Sequence, residues 1–100
     1  MTAQAAPKPL SERQFQRQVE DALRLFGWRF YHTWNSFNSA RGFPDVIAVR
    51  PPRAVALELK SAKGKVTPDQ QAWVTAMAES GIEAGIWRPE DWDEFAELLR

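Results

Sequence analysis

Apolar residues along this chain change their spacing several times, and each change marks a boundary between elements. Phe15, Val19, Ala22, Leu23 and Phe26 recur at intervals of three and four, which lays one apolar stripe along a helix. Ser11 with Gln14 three residues later is a capping box at its start, and Gly27 closes it. The stretch "WRFYHTW" then alternates bulky residues and predicts a strand. After the polar loop "NSFNSARGFP", the runs "DVIAVR" and "AVALELK" predict two strands joined across Pro51 and Pro52. "SAKGKV" is a basic loop. Thr67 as N-cap, Pro68 at the first helical position and Gln70 as capping partner open a second helix that runs to about Ser80, with Gly81 as its stop. "EAGIW" predicts a short strand, and "PEDWDEFAELL" a terminal helix with Trp92, Phe95 and Leu99 on its inner face. The order αβββαβα contains no internal repeat and no interdomain linker. It predicts an α/β fold as a single domain over 11–100, preceded by a flexible lead over 1–10.

A chain of 100 residues supports one modest core, and five Trp and six Phe supply apolar bulk to fill it. There is no cysteine, which excludes a disulfide framework and cysteine-ligated zinc. Nothing resembles a signal peptide or a membrane span, so a soluble intracellular protein is expected. Net charge is zero, but the charges are unevenly spread. From Arg41 to Lys65 there are six basic residues (Arg41, Arg50, Arg53, Lys60, Lys63, Lys65) against two acidic ones, Asp45 and Glu58. From Val66 onward eight acids face two bases. A local basic surface suits contact with a polyanion, although a solvated hairpin beside an acidic helix accounts for the same asymmetry.

The hairpin carries charges that a buried hairpin has no need of. Taking "RPPR" as a symmetric connection sets Val49 opposite Ala54, Asp45 opposite Glu58, and Lys60 at the next position on that face. Alternation gives Val46, Ala48, Val55, Leu57 and Leu59 the apolar face. Two prolines cannot take the positive φ of the commonest two-residue turns, which leaves the register open by about one residue. Carboxylates roughly 5 Å apart repel by about 3 kcal/mol at an effective dielectric near 20, so a cation belongs between them. Lys60 can be that cation, as a salt-bridge partner on a half-exposed strand. A hard divalent ion can be it as well, because paired carboxylates, a backbone carbonyl and waters suit Mg²⁺ or Mn²⁺. Lys60 is then free to orient a nucleophilic water and steady the charge developing on a phosphate.

"GFPD", a short hairpin and "ELK" resemble the PD-(D/E)xK nuclease motif. The flanking "SERQFQ", "GWRFYHT", "GKVTPDQQAW" and "ESGIEAGIW", in that order from about Ser11 to Trp92, resemble more narrowly the virus-type replication and repair nuclease (VRR-NUC) family. The resemblance implies a restriction-endonuclease-like core, a mixed β-sheet of about four strands flanked by helices. It also implies Mg²⁺-dependent hydrolysis of DNA phosphodiesters, with Mn²⁺ able to substitute. Asp45, Glu58 and Lys60 match the signature, and Gln70 matches the glutamine that follows it. Branched DNA is the implied partner and a homodimer the implied assembly, with no membrane involved. The expected location is the cytoplasm of a bacterial or phage-infected cell.

The resemblance further implies a first-helix glutamate at the site. Glu12 lies within roughly 45° of the apolar stripe and Glu20 about 125° from it, so Glu12 is the expected ligand and Glu20 the reserve. Glu12 also has a local role available, complementing the helix dipole, and Gln70 has one in its capping box. Lys63, Lys65 and Arg41 are the expected phosphate contacts, and Trp34, at the edge of the polar loop, the residue that stacks on an unpaired base. His32, the one histidine, reads as a packed strand residue, and the other tryptophans as core. Two other classes compete: a non-catalytic DNA-binding or assembly module using the hairpin charges as a salt bridge, and a sequence-specific restriction-type nuclease.

Overall fold

The computed structural model describes residues 9–34 and 39–100. Residues 1–8 of the expected lead and 35–38 of the polar loop lie outside the described residues. The elements are α1 (Glu12–Leu25), β1 (Arg29–His32), β2 (Val46–Arg50), β3 (Arg53–Leu59), α2 (Pro68–Glu79), β4 (Glu83–Trp87) and α3 (Trp92–Leu99). Both capping boxes form: Ser11 with Gln14, and Thr67 with Gln70. The terminal helix starts later than its sequence pattern suggests. Pro89–Asp91 makes a 3₁₀ turn instead, because the Asp91 carboxylate accepts the Arg88 N–H at 2.9 Å and holds that turn tight.

One mixed sheet runs in the order β1-β2-β3-β4, antiparallel through β1, β2 and β3 and parallel between β3 and β4. The hairpin register is the symmetric one, with Val49 opposite Ala54 and Arg50 opposite Arg53. Val46, Ala48, Val55, Leu57 and Leu59 accordingly face one side, where Phe15, Val19 and Leu23 of α1 and Phe95 and Leu99 of α3 close over them. Burial of side chains this size stabilises by roughly 1.5–3 kcal/mol each. Ala56 and Glu58 point to the opposite side, beneath α2, and are buried as well.

The tryptophans are less uniform than a core assignment implies. Trp28 is buried, with its Nε1 donating to the Leu99 carbonyl at 2.8 Å, while Trp73, Trp87 and Trp92 are half-buried and Trp34 is 72% exposed. Two of the six bases that make the hairpin look basic are also committed elsewhere. Arg50 donates to the carbonyls of Phe26, Leu99 and Arg100, and Arg53 to Leu98 and to the Glu83 carboxylate. Both guanidinium groups sit over the Trp28 ring. They complement the negative end of α3, at the turn end of the hairpin. Glu58 lies five residues further along β3, about 16 Å away.

Candidate active site

Val46 and Leu57 are the last bridged pair at the open end of the hairpin, and one step outward Asp45 lies opposite Glu58. Asp45 Oδ2 accepts the Leu59 backbone N–H at 2.8 Å, which ties the incoming loop to β3. Lys60, just past β3, donates its backbone N–H to the Trp87 carbonyl at 2.9 Å and so remains in line with the sheet. Glu58 is 1% exposed and Lys60 8%. Lys60 Nζ stands 3.9 Å from Glu58 Oε2, too far for a hydrogen bond, and Glu58 Oε1 is buried with no hydrogen-bond partner among the described residues.

That arrangement has an electrostatic consequence. Burial first, and then the neighbouring Asp45 carboxylate, push the Glu58 carboxyl up to about 8 against the pull of Lys60. Glu12 is exposed as a residue, yet its carboxyl is also held above its ordinary value, by partial desolvation and then by Asp45, with Lys60 opposing. The start of α1 therefore brings a third carboxylate into the field of the pair. A buried carboxylate oxygen with no donor, beside a second carboxylate, fits a hard cation. Among the described residues no three His, Cys, Asp or Glu side chains converge into a ready-made cage. Asp45 and Glu58 could hold such an ion with waters completing its shell, and Glu12 could act directly or through one of them.

The helical angle does not separate Glu12 from Glu20 as expected. Glu12, Gln16 and Glu20 form one i, i+4 row, and both acids line the same groove with His32, Thr33 and Trp34. The two glutamates differ in their neighbours instead. Glu20 is bonded to Gln16 at 2.9 Å and lies 3.7 Å from Arg24 and 3.9 Å from His32 Nδ1. Glu12 feels the charges of Asp45 and Lys60. His32 is half-exposed rather than packed, stacked on Tyr31 along the rim of the sheet.

The loop "GFPD" is docked on the start of α2. Gly42 has φ +80°, and a Cβ there would stand 2.5 Å from the Asp69 carbonyl carbon and 2.7 Å from the Gln70 nitrogen. Trp73 Nε1 donates to the Arg41 carbonyl at 3.1 Å, and the Trp73 ring meets Phe43 edge-on at 5.0 Å. Gln70 is therefore anchored beside the segment that delivers Asp45, while its Oε1 accepts the Thr67 N–H at 2.9 Å. Gly42→Ala is expected to destabilise the protein by about 2 kcal/mol or more, through both the backbone conformation and the collision. The thermal midpoint measures this, and an unchanged midpoint would show that the loop and α2 do not meet so closely.

Lys63, Lys65 and Arg41 are exposed on this side of the molecule. A residue that sequence reasoning passed over shapes their loop. Arg88 Nη1 donates to the carbonyls of Ser61 at 2.7 Å, Gly64 at 2.8 Å and Ala62 at 3.4 Å. Its only sequence signal is its place immediately after β4, and the parallel pairing of Leu59 with Trp87 brings it to the loop.

A model of the VRR-NUC domain matches residues 7–90. The chain belongs to the VRR-NUC family. The Pro44–Asp45 and Glu58–Leu59–Lys60 segments, which resemble the PD-(D/E)xK motif, fall inside the matched residues. Among solved structures, the chain is similar to a VRR-NUC domain protein at 20% identity, covering 81% of this chain and 79% of that one with a TM-score of 0.64. It is also similar to Hjc of Archaeoglobus fulgidus, a Holliday junction resolvase from an archaeal hyperthermophile, at 23% identity and a TM-score of 0.56. That alignment covers 75% of this chain and 66% of Hjc, just under two thirds of its length. At these identities the likeness establishes a shared fold. None of the curated proteins matches the sequence. Among the described residues of this VRR-NUC domain no helix is long and apolar enough to cross a membrane.

Proposed function

We propose that this protein is a Mg²⁺-dependent endonuclease that hydrolyses DNA phosphodiesters, with the single domain 11–100 as the catalytic unit. The observation that carries the reading is the buried Glu58 carboxyl opposite Asp45, its Oε1 without a hydrogen-bond partner among the described residues, with Lys60 alongside. When bound, the ion supplies Lewis-acid polarisation of a phosphoryl oxygen and a more acidic water. Asp45 and Glu58 hold it, with Mn²⁺ able to substitute, and Glu12 assists directly or through water. Lys60 and Gln70 position the attacking water, and Lys60 offsets charge developing on the phosphate. No enzyme nucleophile takes part, so no covalent intermediate forms. Lys63, Lys65 and Arg41 contact phosphates flanking the scissile bond.

A domain of this size offers little surface for reading base sequence, which favours recognition of DNA shape. Branched DNA, as a junction or flap arising in replication, repair or recombination, is further supported by the fold likeness to Hjc. A two-fold dimer would present two sites to a symmetric junction. The deciding experiment incubates the protein with Mg²⁺, Mn²⁺, Ca²⁺ or EDTA on duplex, single-stranded, flap and four-way DNA. Cleavage only with Mg²⁺ or Mn²⁺ is expected. Binding without cleavage would identify a non-catalytic module, and products with defined sequence ends a restriction-type enzyme.

The basic loop gives a separate prediction. Phosphate contacts release counterions, so replacing Lys63 and Lys65 together with alanine should weaken junction binding and flatten its salt dependence by about one to two units of slope. Binding to a four-way junction in Ca²⁺ across a salt series measures it. An unchanged slope would place the DNA elsewhere.

A further inference from the structure

The groove between α1 and β1 has chemistry that phosphodiester hydrolysis does not use. It encloses about 480 Å³ between Glu12, Arg13, Arg17 and Glu20 on the helix and His32 and Trp34 on the strand side. We infer that this groove binds unpaired nucleotides of DNA, with Trp34 stacked on a base and Arg13 and Arg17 on the phosphates beside it. The inference rests on the nuclease reading for the identity of the polymer, and on the groove's own residues for the site.

Its free charge is positive. Arg13 and Arg17 are exposed, and neither has a carboxylate within ion-pair distance among the described residues, while 1–8 and 35–38 contain no Asp or Glu. Of the two acids in the lining, Glu20 is held by Gln16 at 2.9 Å and lies near Arg24 and His32, which leaves Glu12 as one acid against the two arginines. Arg13 and Arg17 are one helical turn apart, about 6 Å along the axis, a step suited to successive phosphates of one strand. Trp34 is the most exposed tryptophan of the protein, 72% open to solvent where Trp28 is 5%. A base offers its ring face to such a platform only when it is unstacked, and every base has that face. The volume lies in the range of ligand clefts and is far too small for a duplex. Because Glu12 lines the groove and shares the electrostatic field of the carboxylate pair, a strand in the groove would run toward the scissile position.

The test uses the full chain in Ca²⁺, with a duplex and the same duplex bearing a single-stranded DNA arm labelled with 2-aminopurine at its first unpaired base. For the wild type, the armed DNA should bind more tightly and the label should be quenched. Trp34→Ala should reduce the affinity advantage of the arm about ten-fold and restore the label's emission, and Trp34→Phe should keep both. Arg13→Gln with Arg17→Gln should reduce the advantage and its salt dependence. An abasic arm should cost the wild type the same factor as Trp34→Ala and cost that variant nothing more. An advantage unchanged in both variants, or equal weakening of duplex and armed DNA, overturns the inference. Cleavage of the same DNAs in Mg²⁺ is read separately. If none is cut while the arm effects hold, the nuclease reading fails and the groove stands.

Discussion

Asp45→Asn, Glu58→Gln and Lys60→Ala are each expected to reduce DNA cleavage by on the order of 10³-fold or more while leaving the protein folded. All three residues lie at the open end of one hairpin, and their substitutions remove two different requirements. Asp45→Asn and Glu58→Gln remove charge needed to hold a hard cation, and Lys60→Ala removes the cation that acts on water and phosphate. None of the three anchors the apolar core, which is formed on the opposite face of the sheet by α1 and α3. Rates at saturating DNA together with far-UV circular dichroism decide the matter. Cleavage surviving any one substitution, or unfolding in all three, would sink the metal-site reading. Glu12→Gln should impair cleavage more than Glu20→Gln, because Glu12 shares the field of Asp45 and Lys60 whereas Glu20 is held by Gln16, Arg24 and His32.

In the absence of divalent metal, Glu58→Gln is expected to be the more stable protein at pH 8. The folded state pushes the Glu58 carboxyl up to about 8 from an ordinary value of 4.5, so between those values it retains a proton that the unfolded chain has lost. Stability falls with pH wherever the folded state binds more protons. The wild type should thus hold its full stability near pH 4.5 and lose on the order of a few kcal/mol by pH 8. Glutamine has no proton to lose, so the variant should show a flatter profile. Denaturant unfolding in EDTA at pH 5 and pH 8 measures the difference. Parallel profiles for the two proteins would mean that the buried carboxylate is not held under strain of charge. Added Mn²⁺ should restore wild-type stability at pH 8 and fail to do so in Asp45→Asn, because a ligand bound only by the folded state stabilises it by mass action.

The parts of the molecule that follow from short-range rules were legible in the sequence. Ser11 with Gln14 and Thr67 with Gln70 cap helices through contacts three residues apart. The α1 stripe and the alternation of the hairpin named most of the core, and a symmetric turn was enough to set Asp45 opposite Glu58. Other assignments depended on partners far along the chain. Arg50 and Arg53 counted toward a basic DNA-facing surface, but they serve carbonyls at the end of α3, 45 to 50 residues away. Arg88 reaches back more than 20 residues to clamp the loop of Lys63 and Lys65.

Sequence alone therefore determined the elements, the apolar face and the opposed carboxylates, because period, capping and turn geometry act between residues that are close along the chain. Only the tertiary structure decided which charges are spent and which remain free. It seated Gly42 on the start of α2, set Glu12 and Glu20 along one groove with different partners, and left Trp34 in the open beside Arg13 and Arg17. A side chain's electrostatic role depends on which carbonyls, carboxylates and water surround it, and those neighbours exist only once the sheet has closed against its helices.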